Sequence, residues 1–254
     1  MSGATGPPPV GRRGPSGGAG GDGPGPTAGP QVVVVLGTGT EVGKTWVAAR
    51  LIAALARDGE VVAARKPAQS FDPADAATDA AVLAAASGEA PEAVCPPHRW
   101  YPVPLAPPMA AELLGRPAFT IGELVAELGR SLVAASGGWA VIETAGGLRS
   151  PLADDGDNLR FAAAVGRSLA TAARPARLVL VADAGLGTIH AVRACVEAVA
   201  AAGLAAPVVH LNRYDDAAPH GLHRRNRQWL VGRDGLSVTV SIEELRRGLT
   251  GPAG

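Results

Sequence analysis

The sequence predicts an α/β fold, a mostly parallel sheet with helices on both faces. Three observations carry it. Val32–Val35 form an uninterrupted β-branched run, as expected of a strand buried on both faces. The run leads through "GTGTEVGKT" into a segment whose apolar residues Val47, Leu51, Ala54 and Leu55 recur at helical spacing. Beyond it, strand-like and helix-like segments keep alternating, which implies parallel strands joined by crossover helices.

In chain order, the first helix is expected to end at Gly59, and "EVVAARK" (60–66) reads as a second strand, closed by Pro67. "ATDAAVLAAAS" (77–87) reads as a helix with Thr78 as a possible cap. "PPHRWYPVPLAPP" (96–108) is too rich in proline for a regular element and is expected to be an ordered, extended loop. Helices are expected over 109–115 and 120–136, the second opened by a Thr120–Glu123 capping box. "WAVIETAGG" (139–147) reads as a strand and loop, 161–173 as a helix, and 176–188 as a strand with a glycine turn. A helix over 189–203, a strand in "APVVHLNRYD" and a last strand in "LSVTVS" complete the series, with no internal repeat.

The 254 residues carry 23 Lys+Arg against 23 Asp+Glu, so nothing suggests a nucleic-acid surface or a basic membrane patch. No segment has the apolar length of a membrane span. Cys95 and Cys195 have no metal-ligand spacing and read as small buried hydrophobes of a reduced, cytoplasmic protein. Residues 1–29 are nearly all Gly, Pro, Ser, Ala and Thr, with no apolar stretch of a secretory signal, and are expected to be a disordered tail. A single folded domain is expected over 30–254.

A glycine-rich loop between a buried strand and a helix is where backbone N–H groups and the helix dipole receive phosphate. The usual pattern has four residues between its glycines. Here Thr38 stands where the first glycine belongs and Gly37 lies one residue earlier. From the residues alone the loop is either a chance Gly-Lys-Thr or a phosphate-binding loop (P-loop) one residue longer than usual. Lys44 and Thr45 favour the second, supplying the ammonium and metal-binding hydroxyl that a nucleotide requires.

In a parallel sheet the residues past each strand converge on one rim. They are Gly37–Thr45, Lys66 with Ser70, Glu143 with Gly146 and Gly147, Gly185–Thr188, and Asn212. Lys44 and Lys66 are the only lysines, against 21 arginines, which points to a specific role for Lys66. Mg²⁺ takes hydroxyl, carboxylate and phosphate oxygens. Thr45 and Glu143 suit it, and Asp79 competes with Asp72 and Asp75 for a second carboxylate place. Asp183 reads as a turn residue. His220 and His223 lack a third ligand, so "HGLHRRNRQW" reads as a solvated basic loop. His98 has no evident partner, and acidic "SPLADDGDN" (150–158) lacks calcium-loop spacing and reads as a surface turn.

"GTGTEVGKT", "RKP" with Ser70, "TDAAVL", "YPVPLAPPMAAE", "VIETAGG", "GLGTIH" and "HLNRYD" occur in the order found in dethiobiotin synthetase. The sequence resembles that family over nearly all of 31–230. The most specific part is the loop with five residues between its glycines, which is the family's own form. The resemblance implies a P-loop NTPase-like single domain in which 7,8-diaminononanoate, CO₂ and ATP give dethiobiotin through a carbamate and a carbamic–phosphoric anhydride. It implies catalytic roles for Lys44, Lys66, Thr40 and Glu41, and a carbamate contact for Ser70. Gly39, Thr40, Glu41, Val42, Gly43, Lys44, Thr45, Glu143, Gly146, Gly147 and Asn212 would bind nucleotide, and Thr45, Asp79 and Glu143 would hold Mg²⁺. The helix after Gly187, with Thr188, would receive the substrate carboxylate across a homodimer interface.

Three residues depart from the family pattern: Thr144 and Phe71 stand where glycine is usual, and His190 replaces asparagine. A related ligase acting on another small acid keeps the same loop, although such enzymes usually append a glutaminase-like domain. A partition-type ATPase switch would need a lysine at the start of the loop, and residues 31–43 contain none.

Overall fold

The computed structural model describes residues 1–3, 6, 29–133, 138–169 and 175–250. Most of the segment read as a tail, and the ends of the helices expected over 120–136 and 161–173, lie outside them. The described elements are β1 (Gln31–Gly37), α1 (Lys44–Arg57), β2 (Val62–Arg65), β3 (Gln69–Ser70), α2 (Asp79–Ser87), α3 (Pro91–Val94) and β4 (Trp100–Tyr101). There follow α4 (Pro107–Leu113), α5 (Ile121–Val133), β5 (Trp139–Glu143), β6 (Pro151–Ala153), β7 (Gly156–Asp157) and α6 (Asn158–Ser168). The chain continues with β8 (Arg177–Asp183), α7 (Thr188–Ala201), β9 (Val208–Asn212), α8 (Leu222–Gly232), β10 (Val238–Thr239) and α9 (Ile242–Thr250).

The main sheet has six parallel strands in the order β10-β9-β8-β1-β5-β2. The valine run lies at its centre, and successive residues divide between its faces as the pleat requires. Val32, Val34 and Leu36 pack with Leu124 of α5, Phe161 of α6, Val192 of α7 and Leu230 of α8. Val33 and Val35 pack with Leu51 of α1, Leu83 of α2 and Leu245 of α9. Both faces are therefore covered, which explains the absence of polar alternation. Both cysteines are buried and free. No helix among the described residues is long and apolar enough to cross a membrane.

Four local expectations are corrected. The proline segment is not one loop: it holds a 3-10 turn at Pro97–Arg99, then β4, and Pro107 opens α4 at the helical position that needs no N–H donor. The basic stretch read as a loop contains α8, whose inner face carries Leu222, Leu230 and the buried polar Asn226. The acidic turn is a small antiparallel hairpin, β6–β7. Its acids serve backbone donors: Asp154 accepts from Phe119 N (2.8 Å), Asp155 from Ile121 N (2.7 Å) and Asp157 caps α6. His98 has a partner, its Nε2 lying 3.2 Å from Glu127 Oε1. The Thr120–Glu123 capping box forms in both directions.

Candidate active site

The loop between β1 and α1 is shaped by two close approaches. A Cβ at Gly37 would lie 2.8 Å from Lys44 Cδ, so the lysine stem can fold back over the loop only because residue 37 is glycine. That places the first required glycine at 37. Gly43 precedes α1 at φ 90°, and a Cβ there would lie 2.1 Å from Asn212 Nδ2. Lys44 Nζ donates to Gly39 O at 3.1 Å, closing the loop around its own helix start.

The register of β2 on β5 pairs Arg65 with Ile142, so the next residues, Lys66 just past β2 and Glu143 at the end of β5, lie side by side at the sheet edge. Lys66 Nζ lies 3.0 Å from Glu143 Oε1 and also contacts Asp79 Oδ2, the first residue of α2. Thr78 caps that helix by accepting from Ala81 N, which fixes where Asp79 starts. Thr45 Oγ1 lies 2.8 Å from both Asp79 Oδ1 and Glu143 Oε1. Asp72 and Asp75, the sequence competitors of Asp79, bond the backbone of their own turn instead.

Lys66 and Glu143 are each 1% exposed. Burial opposes the Lys66 charge, but Glu143 and Asp79 outweigh it and hold the ammonium above the ordinary lysine range. Burial likewise opposes the Asp79 charge, yet Lys66 beside it keeps the carboxyl below its usual value. Lys44 differs: burial dominates over attraction to Glu143 and draws its pKa down. Burial pushes the Glu143 carboxyl above its usual range, only partly offset by Lys66 beside it.

These groups open onto a cleft of about 960 Å³ at the carboxyl edge of the sheet. Of the residues singled out in the sequence, Thr40, Glu41, Gly43, Lys44, Thr45, Lys66, Ser70, Asp79, Glu143 and Gly146 line it. Phe71, Asp72, Asp75, Leu105 and Pro107 line it as well. Ser70 Oγ and Glu143 Oε2 are buried without a hydrogen-bond partner. Gly147 supports the loop from behind: a Cβ there would lie 3.1 Å from Gly39 Cα. Asn158, not singled out in the sequence, holds this turn by donating to Ala145 O (2.6 Å) and Gly147 O (2.7 Å).

Asn212 lies at the end of β9 and lines a neighbouring pocket of about 410 Å³ with Gly43, Trp46, Arg213 and Tyr214. Gly187 and Thr188, at the start of α7, are outside the lining of the large cleft. Thr144 faces away from it: its hydroxyl donates to Val35 O at 3.0 Å, inside the sheet edge. Sequence reasoning passed over Trp46 and Arg213. Arg213 lines both pockets, and its only sequence signal is its place beside Asn212.

The donor set suits Mg²⁺. Thr45 Oγ1 has one proton and can donate to only one of the two carboxylate oxygens beside it, and Glu143 Oε2 is an orphaned buried acceptor. Hard oxygens of a hydroxyl and two carboxylates are what this cation takes alongside phosphate.

The family described as an AAA domain matches residues 31–247. The ATP-dependent dethiobiotin synthetase BioD of Caulobacter sp. (strain K31) is 40% identical over 187 residues, covering 72% of this chain and 76% of that one. The synthetase of the same description from Rhodococcus erythropolis (strain PR4 / NBRC 100887) is 34% identical over 207 residues, covering 82% and 86%. The chain belongs to the dethiobiotin synthetase family. Chloroplast FtsY from Physcomitrella patens is alike in fold alone, with a TM-score of 0.51 at 17% identity over 88% of this chain and 66% of that one. Thr144 is accommodated by its bond to Val35 O.

Proposed function

We propose that this ATP-dependent enzyme of the dethiobiotin synthetase family carboxylates 7,8-diaminononanoate with CO₂ and closes the cyclic urea of dethiobiotin, a step of biotin biosynthesis. The observation that best supports the reading is Ser70 Oγ, buried and unpartnered in the wall of the cleft that the phosphate loop and Lys66 also line. An acceptor oxygen of a carbamate would satisfy it.

One amine of the substrate adds to CO₂ and releases a proton, giving the carbamate. Ser70 donates to that carbamate, and Lys66 offsets its negative charge. The loop amides and Lys44 hold the ATP phosphates so that the carbamate oxygen attacks the terminal phosphorus and ADP leaves. Positioning and charge carry this step, since phosphoryl transfer needs little covalent help from the protein. The neighbouring amine then attacks the carbamoyl carbon, phosphate leaves and the ring closes. Thr45, Asp79 and Glu143 would hold Mg²⁺, which would supply positive charge at the phosphate oxygens. Thr40 and Glu41 stand at the lip of the cleft beside the transferred group, Phe71 and Leu105 offer apolar wall to the carbon chain, and Asn212 faces the base. Gly187 and Thr188 serve the substrate carboxylate of a second copy in a homodimer.

Purified protein incubated with 7,8-diaminononanoate, bicarbonate and Mg·ATP should yield dethiobiotin by mass, with one ADP per product. ATP turnover without that product overturns the substrate assignment. Sedimentation at micromolar concentration should give a dimer; a fully active monomer removes the role given to Gly187 and Thr188.

A further inference from the structure

Among the described residues, three that are not glycine have a left-handed φ: Glu41 (59°), Arg213 (56°) and His220 (58°). This region is sterically unfavourable for a side-chain-bearing residue. Glu41 and Arg213 are bonded to each other: Arg213 Nη2 donates to Glu41 O at 2.8 Å. The preceding residue, Asn212, donates from Nδ2 to Val42 O at 3.0 Å. Two consecutive residues at the end of β9 thus hold two consecutive carbonyls of the phosphate loop.

In a trans peptide the C=O of one residue and the N–H of the next point in opposite directions. Holding Glu41 O and Val42 O on the β9 side therefore turns Val42 N–H and Gly43 N–H the other way, as phosphate binding at a helix N-terminus needs. The guanidinium is fixed in turn: Nη1 donates to Asp183 Oδ2 at 2.9 Å, and Asp183 Oδ1 accepts from Gly185 N at 2.8 Å. Burial opposes the Asp183 charge, but the Gly185 N–H and Arg213 together outweigh it and hold the carboxyl below the usual range. The ion pair is half exposed, at 60% and 46%, and contributes little to folding by itself. Its effect lies in where it holds the fork.

We propose that Arg213 is a positioning residue for the nucleotide: braced by Asp183, it clamps Glu41 O and, with Asn212, presets the loop amides toward phosphate. The inference rests on nucleotide binding at this loop and adds how this chain shapes it. The clamp acts before the ligand arrives, so its loss shows in affinity for ATP and ADP. Once the loop is filled, the phosphates themselves hold the amides, and turnover at saturation changes little.

Two variants separate this from a direct phosphate contact. Arg213→Lys keeps the charge but cannot span two acceptors as a fork does. Asp183→Asn removes a negative charge near an anionic ligand, so simple electrostatics predicts tighter binding, whereas a loosened clamp predicts weaker binding. With ADP as the probe in calorimetry, affinity should fall about tenfold in both Arg213→Ala and Arg213→Lys. In Asp183→Asn it should fall about threefold or more on the same scale. KM for ATP should rise in step, with kcat within about threefold of the parent and unchanged melting temperatures. ADP affinity that is unchanged or tighter in Asp183→Asn, or near-parental in Arg213→Lys, overturns the clamp. If the parent protein itself fails to bind ADP, the nucleotide reading falls and the clamp with it.

Discussion

Lys66 and Glu143 extend the β2–β5 register by one residue beyond the Arg65–Ile142 pair, and their side chains meet at 3.0 Å with 1% exposure each. Lys66 follows β2 and Glu143 ends β5, 77 residues apart in sequence, so it is the parallel sheet that makes them a pair. Glu143 and Asp79 keep Lys66 protonated where it lines the cleft. In the proposed reaction it stabilises charge that develops on the transferring phosphoryl. Lys66→Gln should then lower turnover by roughly a hundredfold, the scale of losing one preorganised donor. ATP affinity should change much less, because Lys44 and the loop amides remain. Melting temperature should fall as well, since Glu143 is left buried without its counter-charge. Lys66→Arg should rescue poorly, a planar fork being no substitute for a compact ammonium. Full activity in Lys66→Gln defeats the assignment.

Lys44→Ala should separate function from stability in the opposite sense. Burial draws the Lys44 pKa below the ordinary value, so in the absence of nucleotide the folded state holds this charge less favourably than the unfolded chain. Removing it should abolish turnover and sharply weaken ADP binding, while the melting temperature of the nucleotide-free protein stays level or rises. A variant that binds ADP as tightly as the parent would end the phosphate-loop reading.

Much of this geometry was legible in the sequence, for identifiable reasons. Lys66 stood out because the chain has two lysines, and Glu143 because it ends an apolar run. Asp79 did not separate from Asp72 and Asp75, since all lie in one acid-rich stretch; only the Thr78 cap selects it. Helix α8 was missed because a polar residue, Asn226, occupies its buried face and breaks the apolar period. That side chain is kept for its bonds to Ala184 O and Gly185 O, 2.9 Å each, which sequence patterning does not register. Arg213 was one arginine among 21, and its meaning depends on a loop 172 residues away.

Deleting residues 1–29 should leave both melting temperature and activity nearly unchanged. Their Gly/Pro-rich composition offers no apolar surface to a core, and the main sheet begins at Gln31, whose N–H donates to Gly138 O at 2.8 Å. Differential scanning of the truncated and full chains checks this. A clear fall in melting temperature on truncation would show that the segment packs.

His210 should make stability depend on pH in a window where few other groups titrate. It lies in β9 at 2% exposure, its Nδ1 3.0 Å from Thr239 Oγ1. Burial, only partly opposed by Glu244, lowers its pKa from 6.5 to about 4. The folded state therefore keeps the ring neutral where the unfolded chain would protonate it. Between pH 6.5 and about 4 the unfolded state binds more protons, so stability rises with pH across this window. The His210 contribution is complete above pH 6.5 and is lost progressively as pH falls to about 4, a change of about 3 kcal/mol at 1.4 kcal/mol per pKa unit. Carboxylates also titrate at the acid end, so the informative quantity is a difference. His210→Asn keeps a polar partner for Thr239 and removes the titrating ring. The cavity it leaves lowers stability by an amount that does not vary with pH. The parent's stability advantage over this variant, from denaturant melts, should be flat from pH 8 to 7 and then shrink steadily toward pH 4. A difference that stays constant over the whole range would mean that His210 titrates alike in both states, contrary to its burial.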